Sequence, residues 1–310
     1  MSVVALLLWS GNAARADDAD HTVAKAEALG KAGKDEEAVK LLTAYLATHP
    51  KDARALVDRG DSYMDLDRAK DAVRDYSAAI SANPDYAYAW SSRCDAYNQL
   101  GNYNAALPDC SKALELSPNS GYAARTRAIT YDELGDDQAA LKDASLAVNI
   151  DPNSSQSLAM RCRVLFALGR YDSADQDCLA ALAIEPDLYR AQFWHARVAI
   201  EQEHWAAADA TFSKILAADD RDTSSHYWRA IARMHLGKND GALSDAGVYV
   251  QSHLEDGDGY YLRALIEQQM GRLKDAKDDA NLALYRYKVV NDAAGMSRAN
   301  ALLGKLSAAQ

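Results

Sequence analysis

The chain has 310 residues, of which 49% are hydrophobic, and its formal net charge is −11 at pH 7. An excess of acidic groups repels phosphate backbones and anionic lipid surfaces, so binding to nucleic acid or to a membrane surface is not expected. The composition, with three Phe and six Pro, fits either two ordinary domains or one helical array. Internal repeats must therefore decide the organisation.

The N-terminus has the pattern of an export signal. Residues 3–9 form a short apolar run, and Ala14, Arg15 and Ala16 supply an A-x-A cleavage site. We therefore predict that residues 1–16 are a signal peptide and that the mature protein is periplasmic or secreted. The alternative is the start of a first helix, since no Lys or Arg precedes the apolar run. No later segment approaches the ~20 apolar residues of a membrane span, so none is expected.

Residues 19–290 repeat with a period of 34. Prolines keep this interval at Pro50, Pro84, Pro118, Pro152 and Pro186. An alanine keeps it through the whole range, at Ala38, Ala72, Ala106, Ala140, Ala174, Ala208, Ala242 and Ala276. This periodicity predicts eight units, at 19–52, 53–86, 87–120, 121–154, 155–188, 189–222, 223–256 and 257–290. Residues 291–310 have apolar side chains at helical spacing and no proline, so we predict a C-terminal capping helix.

Each unit has the pattern of a helical hairpin, with one apolar face on helix A (positions 4, 8 and 11) and one on helix B (positions 20, 24 and 27). The third unit shows it best, with Trp90, Cys94, Tyr97, Gly101, Tyr103, Ala106, Ala113 and Pro118. This pattern resembles the tetratricopeptide repeat. The resemblance implies an all-α fold, an α-solenoid in the form of a right-handed superhelix with helix A lining the concave face. The pattern departs at Asp220, Leu254 and Lys288, which stand where proline is expected.

Arginine recurs at position 7 of the unit and aspartate at position 23. Both are present or both are absent in every unit, which indicates that they pair across the hairpin. We predict structural ion pairs, among them Arg93 with Asp109, Arg127 with Asp143 and Arg161 with Asp177. The alternative is a charged track for ligands.

The four cysteines occupy positions 8 and 24 of the third and fifth units. Because these positions face each other across one hairpin, we predict disulfides between Cys94 and Cys110 and between Cys162 and Cys178. Free thiols that fill tight helix contacts are the alternative.

By resemblance, positions 2, 5, 9, 12 and 13 of helix A face the concave groove. The expected peptide-binding residues are Tyr88, Tyr122, Arg125, Arg163, Phe166, Arg190, Phe193, Arg197, Tyr227, Met234 and Tyr261. Aromatic rings and arginines are common where proteins bury a partner. The alternative is that these rings cover neighbouring helices. The arginines of the fourth to sixth units favour a partner segment with acidic residues.

No catalytic, metal or cofactor site is expected, because the sequence lacks a phosphate loop, an HExxH motif and a clustered Cys/His set. We therefore predict a non-enzymatic scaffold or adaptor of the bacterial cell envelope that binds a partner protein or an extended peptide in the groove. The first alternative is a periplasmic chaperone or export accessory protein that holds unfolded or secreting chains. The second is an enzyme or its regulatory subunit.

Overall fold

The computed structural model describes residues 21–308, which form 17 helices and no strand. The expectation of an all-α fold is confirmed. The predicted signal peptide lies outside the described residues. The helices are α1 (21–31), α2 (Asp35–Leu46), α3 (Ala53–Asp65), α4 (Ala69–Ala82), α5 (Ala87–Gln99), α6 (Tyr103–Leu116), α7 (Gly121–Glu133), α8 (Asp137–Ile150), α9 (Ser155–Ala167), α10 (Tyr171–Ile184), α11 (Tyr189–Glu201), α12 (Trp205–Ala218), α13 (Thr223–His235), α14 (Asn239–Ser252), α15 (Gly257–Gln269), α16 (Leu273–Val289) and α17 (Ala293–Ala308).

The chain divides into two compact units, the first ending at Val164 and the second beginning at Leu165. In each unit consecutive helices pack against each other, as in α3 with α4 and α13 with α14. Neighbouring odd-numbered helices also touch, as in α3 with α5, α5 with α7, α11 with α13, α13 with α15 and α15 with α17, whereas no two even-numbered helices of one unit do so within the described residues. The odd-numbered helices (A helices) therefore form one layer of each unit and the even-numbered helices (B helices) form the other.

The helix boundaries follow local chemistry. Asp52 caps α3 by accepting from the backbone N–H groups of Arg54 and Ala55. The turn from an A helix to a B helix needs a left-handed residue, and Gly101 supplies it with a φ of 69°. Asp67 and Glu203 take the same conformation in the second and sixth repeats, where glycine is absent. The left-handed turn geometry is therefore retained in the repeats where another residue replaces glycine.

Small residues allow the two layers to approach closely. The recurring alanine at position 20 is fully buried in each of the eight predicted units. At Gly60, which occupies position 8, a Cβ atom would lie 2.5 Å from the ring of Tyr76. The core is therefore built on close helix contacts, with larger side chains such as Leu42 and Phe212 filling the space between hairpins.

Arginine and aspartate form forked ion pairs across the hairpins. Arg93 donates from Nε and Nη2 to the two carboxylate oxygens of Asp109, at 2.6 and 2.8 Å. The same arrangement joins Arg59 to Asp75, Arg127 to Asp143, Arg229 to Asp245 and Arg263 to Asp279. All five carboxylates are buried. Burial with two charge-assisted hydrogen bonds makes these pairs structural rather than a track for ligands.

Four of these arginines also reach the preceding hairpin. The remaining nitrogen of Arg93, Nη1, donates to the Ser77 hydroxyl at 3.0 Å. The matching acceptors are Thr43 for Arg59, Ser111 for Arg127 and Ser213 for Arg229. We call this three-way contact the arginine clamp, and it ties two neighbouring hairpins together. Arg161 lies in the first unit and Asp177 in the second. Each side chain has a partner, and the ion pair between the two stays a prediction.

The cysteines are oxidised. Cys94 and Cys110 form a disulfide with a Cα–Cα distance of 5.4 Å between α5 and α6, and both residues are fully buried. Cys162 and Cys178 are also disulfide-bonded, so no free thiol is present among the described residues. The expectation of disulfide-bonded cysteines is confirmed.

Glu267 is a buried acid at a position that earlier repeats fill with tyrosine. It occupies position 11 of the eighth repeat, where Tyr63, Tyr97 and Tyr131 stand in others. Its exposed fraction is 8%, and its Oε2 has no hydrogen-bond partner. Burial, and then the nearby charge of Asp279, raise the pKa of Glu267 to about 7.

We expect Glu267→Gln to raise the free energy of unfolding near pH 8 by about 1 to 2 kcal/mol. The pKa of Glu267 is higher in the folded state than in the unfolded chain. The free-energy cost of burying its charged carboxylate is therefore absent below about pH 4.5. It grows as the pH rises toward 7 and is fully present above that value. Urea unfolding near pH 4 and pH 8 measures this difference. Glu203→Gln changes an exposed acid and should have little effect at either pH, and an equal gain from both variants would contradict the prediction.

Candidate functional site

In the first unit, the A helices present tyrosines paired with acids. The hydroxyl of Tyr88 donates to Asp61 at 3.2 Å, and that of Tyr122 donates to Asp95 at 3.1 Å. The two rings lie 5.7 Å apart, and Tyr88 is 43% exposed. The guanidinium of Arg125 lies 5.4 Å from the centre of the Tyr122 ring. The structure thus brings three of the predicted binding residues together.

Arg163 is tied to the preceding A helix. Its Nη2 lies 2.5 Å from Asp132 and 2.7 Å from Glu133, both on α7. Burial raises the pKa of Asp132 to about 6, while Arg163 opposes this shift. This arginine therefore already has two acidic partners, and it is less available to a ligand than its position alone suggests.

In the second unit, aromatic rings gather around Trp194. Phe166 and Phe193 lie 5.2 and 5.4 Å from the Trp194 ring, as measured between ring centres. Phe193 also packs against Phe212 in the hydrophobic core. Phe193 is therefore largely a packing residue, whereas Phe166 lies against the guanidinium of Arg197.

Arg197 lies among these rings without a close acid. Its guanidinium carbon is 3.3 Å from the centre of the Trp228 ring and 4.9 Å from that of Phe166. The nearest carboxylate, Glu201, is 3.8 Å away, beyond hydrogen-bonding distance. Nε is buried and has no acceptor. Burial lowers the pKa of Arg197 to about 10, so the side chain remains charged near neutral pH.

The other predicted residues of the second unit have different surroundings. Tyr227 packs at 5.1 Å from Trp228 and 4.7 Å from Tyr249. Burial raises its pKa to about 12. Met234 packs against the core of the seventh and eighth repeats.

Two predicted residues lie apart from the ring cluster. Tyr261 lies under the guanidinium of Arg298, at 5.3 Å. Arg190 is exposed and has no acid within 4 Å in the described part of the chain. The structure therefore joins Phe166, Arg197 and Tyr227 through two tryptophans, but it does not join Arg190 or Tyr261 to them.

Comparison with known protein families explains the common plan of the hairpins. Models described as tetratricopeptide repeat match residues 87–120, 23–71 and 193–251. The chain belongs to the tetratricopeptide-repeat family. Such repeats generally mediate protein–protein interaction, and the family is typically non-enzymatic. No curated protein matches this tetratricopeptide-repeat protein in sequence.

Solved structures show the same fold. A tetratricopeptide-repeat protein from Parabacteroides merdae is 21% identical, with a TM-score of 0.54, over 82% of this chain and 98% of its own. The Cut9–Hcn1 hetero-tetramer structure matches 92% of this chain and 55% of its own at 15% identity and a TM-score of 0.75. Pseudomonas aeruginosa PilF matches 72% of this chain and 97% of its own at 18% identity and a TM-score of 0.59. These similarities confirm the solenoid fold of the tetratricopeptide-repeat protein.

The sequence-based search missed the residues that define the surroundings of Arg197. Trp194 and Trp228 occupy position 6 of consecutive repeats, a position that was not assigned to the groove. Their recurrence 34 residues apart was the available signal. Within residues 21–308, no cluster of His, Cys, Asp and Glu is arranged to hold a metal ion. No helix there combines the length and apolar character needed to cross a membrane.

Proposed function

We propose that this tetratricopeptide-repeat protein is a non-enzymatic adaptor of the bacterial cell envelope. In this proposal the A helices of the second unit bind an acidic segment of a partner protein or an extended peptide. The formal charge of −11 favours a polypeptide partner over nucleic acid.

Arg197 carries the proposal. A buried guanidinium with an unsatisfied Nε loses hydration without regaining a hydrogen bond, and this costs free energy. A carboxylate from a partner would supply the missing acceptor and neutralise the charge. The rings of Phe166 and Trp228 hold the guanidinium in one place before binding, which lowers the entropic cost of association.

The envelope location has two supports. Residues 1–16 have the pattern of a cleaved signal peptide. The disulfide between Cys94 and Cys110 is of the kind that persists in oxidising compartments outside the cytoplasm. Together they favour a protein that works in the periplasm or outside the cell.

We expect Arg197→Met to weaken binding of a capped peptide of alternating glutamate and alanine by about tenfold. Fluorescence anisotropy with the labelled peptide measures the affinity. Methionine keeps an apolar stem between the rings, and the guanidinium that is lost has only a 3.8 Å contact with Glu201. The melting temperature should therefore stay unchanged or rise.

Arg221→Met is the matched control, because Arg221 is 87% exposed and its loss changes the net charge by the same amount. It should change the affinity by less than about twofold, as expected for a surface charge. Equal weakening by both variants, or no binding by the wild-type protein, would overturn the proposal. A large loss of stability in Arg197→Met would assign the residue to packing instead.

A further inference from the structure

A cleft of 160 Å³ in the first unit is lined by carboxylates. Glu27 of α1 lies on one side, and Asp58, Asp61 and Asp65 of α3 lie on the other. Lys31 is the one basic side chain in the lining. The three aspartates follow one another at helical spacing, so α3 presents a row of acids to this opening.

The acids of α3 have no basic partner. Lys31 and Arg54 both contact Glu27, at 2.8 and 3.4 Å, and all three of these side chains are well exposed. Within the described residues, no Lys, Arg or His lies within 4 Å of the carboxylates of Asp58, Asp61 or Asp65. Lys31 and Arg54 therefore pair with Glu27 at the rim and form no ion pair with the aspartates of the floor.

Two buried carboxylate oxygens near the cleft lack a hydrogen-bond partner. One is Oδ2 of Asp58, and the other is Oδ1 of Asp35. Asp35 is only 8% exposed, and its Oδ1 lies 3.6 Å from the place that a Cβ atom would take on Gly30, which lines the cleft. The charge of Asp35, after burial, also raises the pKa of Asp65. Asp35 thus lies directly behind the wall and adds negative potential to the opening.

The remaining acid, Asp61, is held in place by neutral donors. The hydroxyls of Tyr76 and Tyr88 donate to its two oxygens at 2.7 and 3.2 Å. These bonds fix the orientation of the carboxylate but leave its charge uncompensated. Burial is the main cause that raises the pKa of both Asp58 and Asp61 to about 6, and the charge of Asp61 contributes to the shift of Asp58. A cation in the cleft would relieve this repulsion.

We propose that this acidic cleft binds a cationic side chain from a basic segment of a partner polypeptide. The described residues contain no cluster suited to a metal ion, which favours an ammonium or guanidinium group. The neighbouring rings of Tyr86 and Tyr88, 6.3 Å apart, can cover the apolar stem of such a side chain. The cleft and Arg197 use different residues and opposite charges, so this proposal does not rest on the proposed function.

The test compares two double variants that each remove two negative charges. Asp58→Asn with Asp65→Asn changes the floor of the cleft, and Glu36→Gln with Glu115→Gln changes two exposed acids elsewhere in the first unit. Fluorescence anisotropy measures the affinity for a capped, labelled peptide of alternating lysine and alanine near pH 7.5 at about 0.15 M NaCl. We expect about tenfold weaker binding for the cleft variant and less than about twofold for the control.

The melting temperature and the binding of a second peptide provide two controls. The cleft variant should melt at the same temperature as the wild type or higher, since like charges are removed, so weaker binding cannot be ascribed to misfolding. The glutamate–alanine peptide should bind both double variants as it binds the wild type. Equal weakening by the two variants, unchanged binding by the cleft variant, or no binding of the lysine peptide by the wild type would overturn the proposal.

Discussion

Replacing Asp245 with asparagine should lower the free energy of unfolding by about 3 to 5 kcal/mol. The side chain of Asp245 is only 3% exposed, and its carboxylate accepts from Arg229, Arg233 and His226. Asparagine fits the space but removes the negative charge that holds two guanidinium groups close together. Arg229 would then face the positive charge of Arg233 with no carboxylate between them, although Arg233 keeps its ion pair with Asp209 at 2.8 Å.

Asp240→Asn is the matched control for this substitution. Asp240 lies in the first turn of the same helix, α14, and is exposed. Its loss should cost at most about 0.5 to 1 kcal/mol through the helix dipole. Chemical unfolding followed by circular dichroism measures both variants. Comparable losses for Asp240 and Asp245 would show that the buried network contributes no special stability.

Removing the disulfide between Cys94 and Cys110 should cost about 3 kcal/mol of stability under non-reducing conditions. The variant is Cys94→Ala with Cys110→Ala, which leaves Cys162 and Cys178 unchanged. The bridge closes a loop with a sequence separation of 16 residues. Its removal gives the unfolded chain more conformational freedom, and the folded helices α5 and α6 keep their other contacts.

The dependence of the unfolding free energy on urea concentration distinguishes the loss of the cross-link from the effect of a cavity. A less restricted unfolded chain exposes more surface, so the slope of the free energy against urea concentration should increase. A cavity left by two sulfur atoms would lower stability without changing that slope. A stability loss below about 1 kcal/mol with an unchanged slope would show that the bridge contributes little.

The sequence allowed prediction of the helices and of the ion pairs because both depend on repeated positions. Arg93 and Asp109 hold the same places in successive hairpins, and so the same geometry recurs. Other contacts are conserved in geometry but not in residue type. The side chains of Trp90, Gln192 and His226, all at position 4, approach the backbone oxygens of Pro84, Pro186 and Asp220 at 2.8, 2.7 and 3.0 Å. A pattern based on residue type cannot reveal this shared contact.

The candidate sites were harder to predict for a physical reason. The environment of Arg197 depends on rings from α9, α11 and α13, and the acidic cleft depends on α1 and α3 together. These contacts between helices determine whether a charged side chain lies close to a group of opposite charge. The sequence indicated that arginines were present, but it did not distinguish Arg163, with two acids nearby, from Arg197, with none in hydrogen-bonding distance.

The arginine clamp limits how the length of this protein can change. Each clamp joins a residue to partners 16 positions before and 16 positions after it, as Arg93 does with Ser77 and Asp109. Insertion or deletion of a whole 34-residue repeat that carries the arginine, the aspartate and the hydroxyl residue keeps these two intervals at the new junction, whereas a length change of another size between the partners misaligns them. Gene duplication and protein engineering can therefore lengthen or shorten the array in whole repeats with the joints intact.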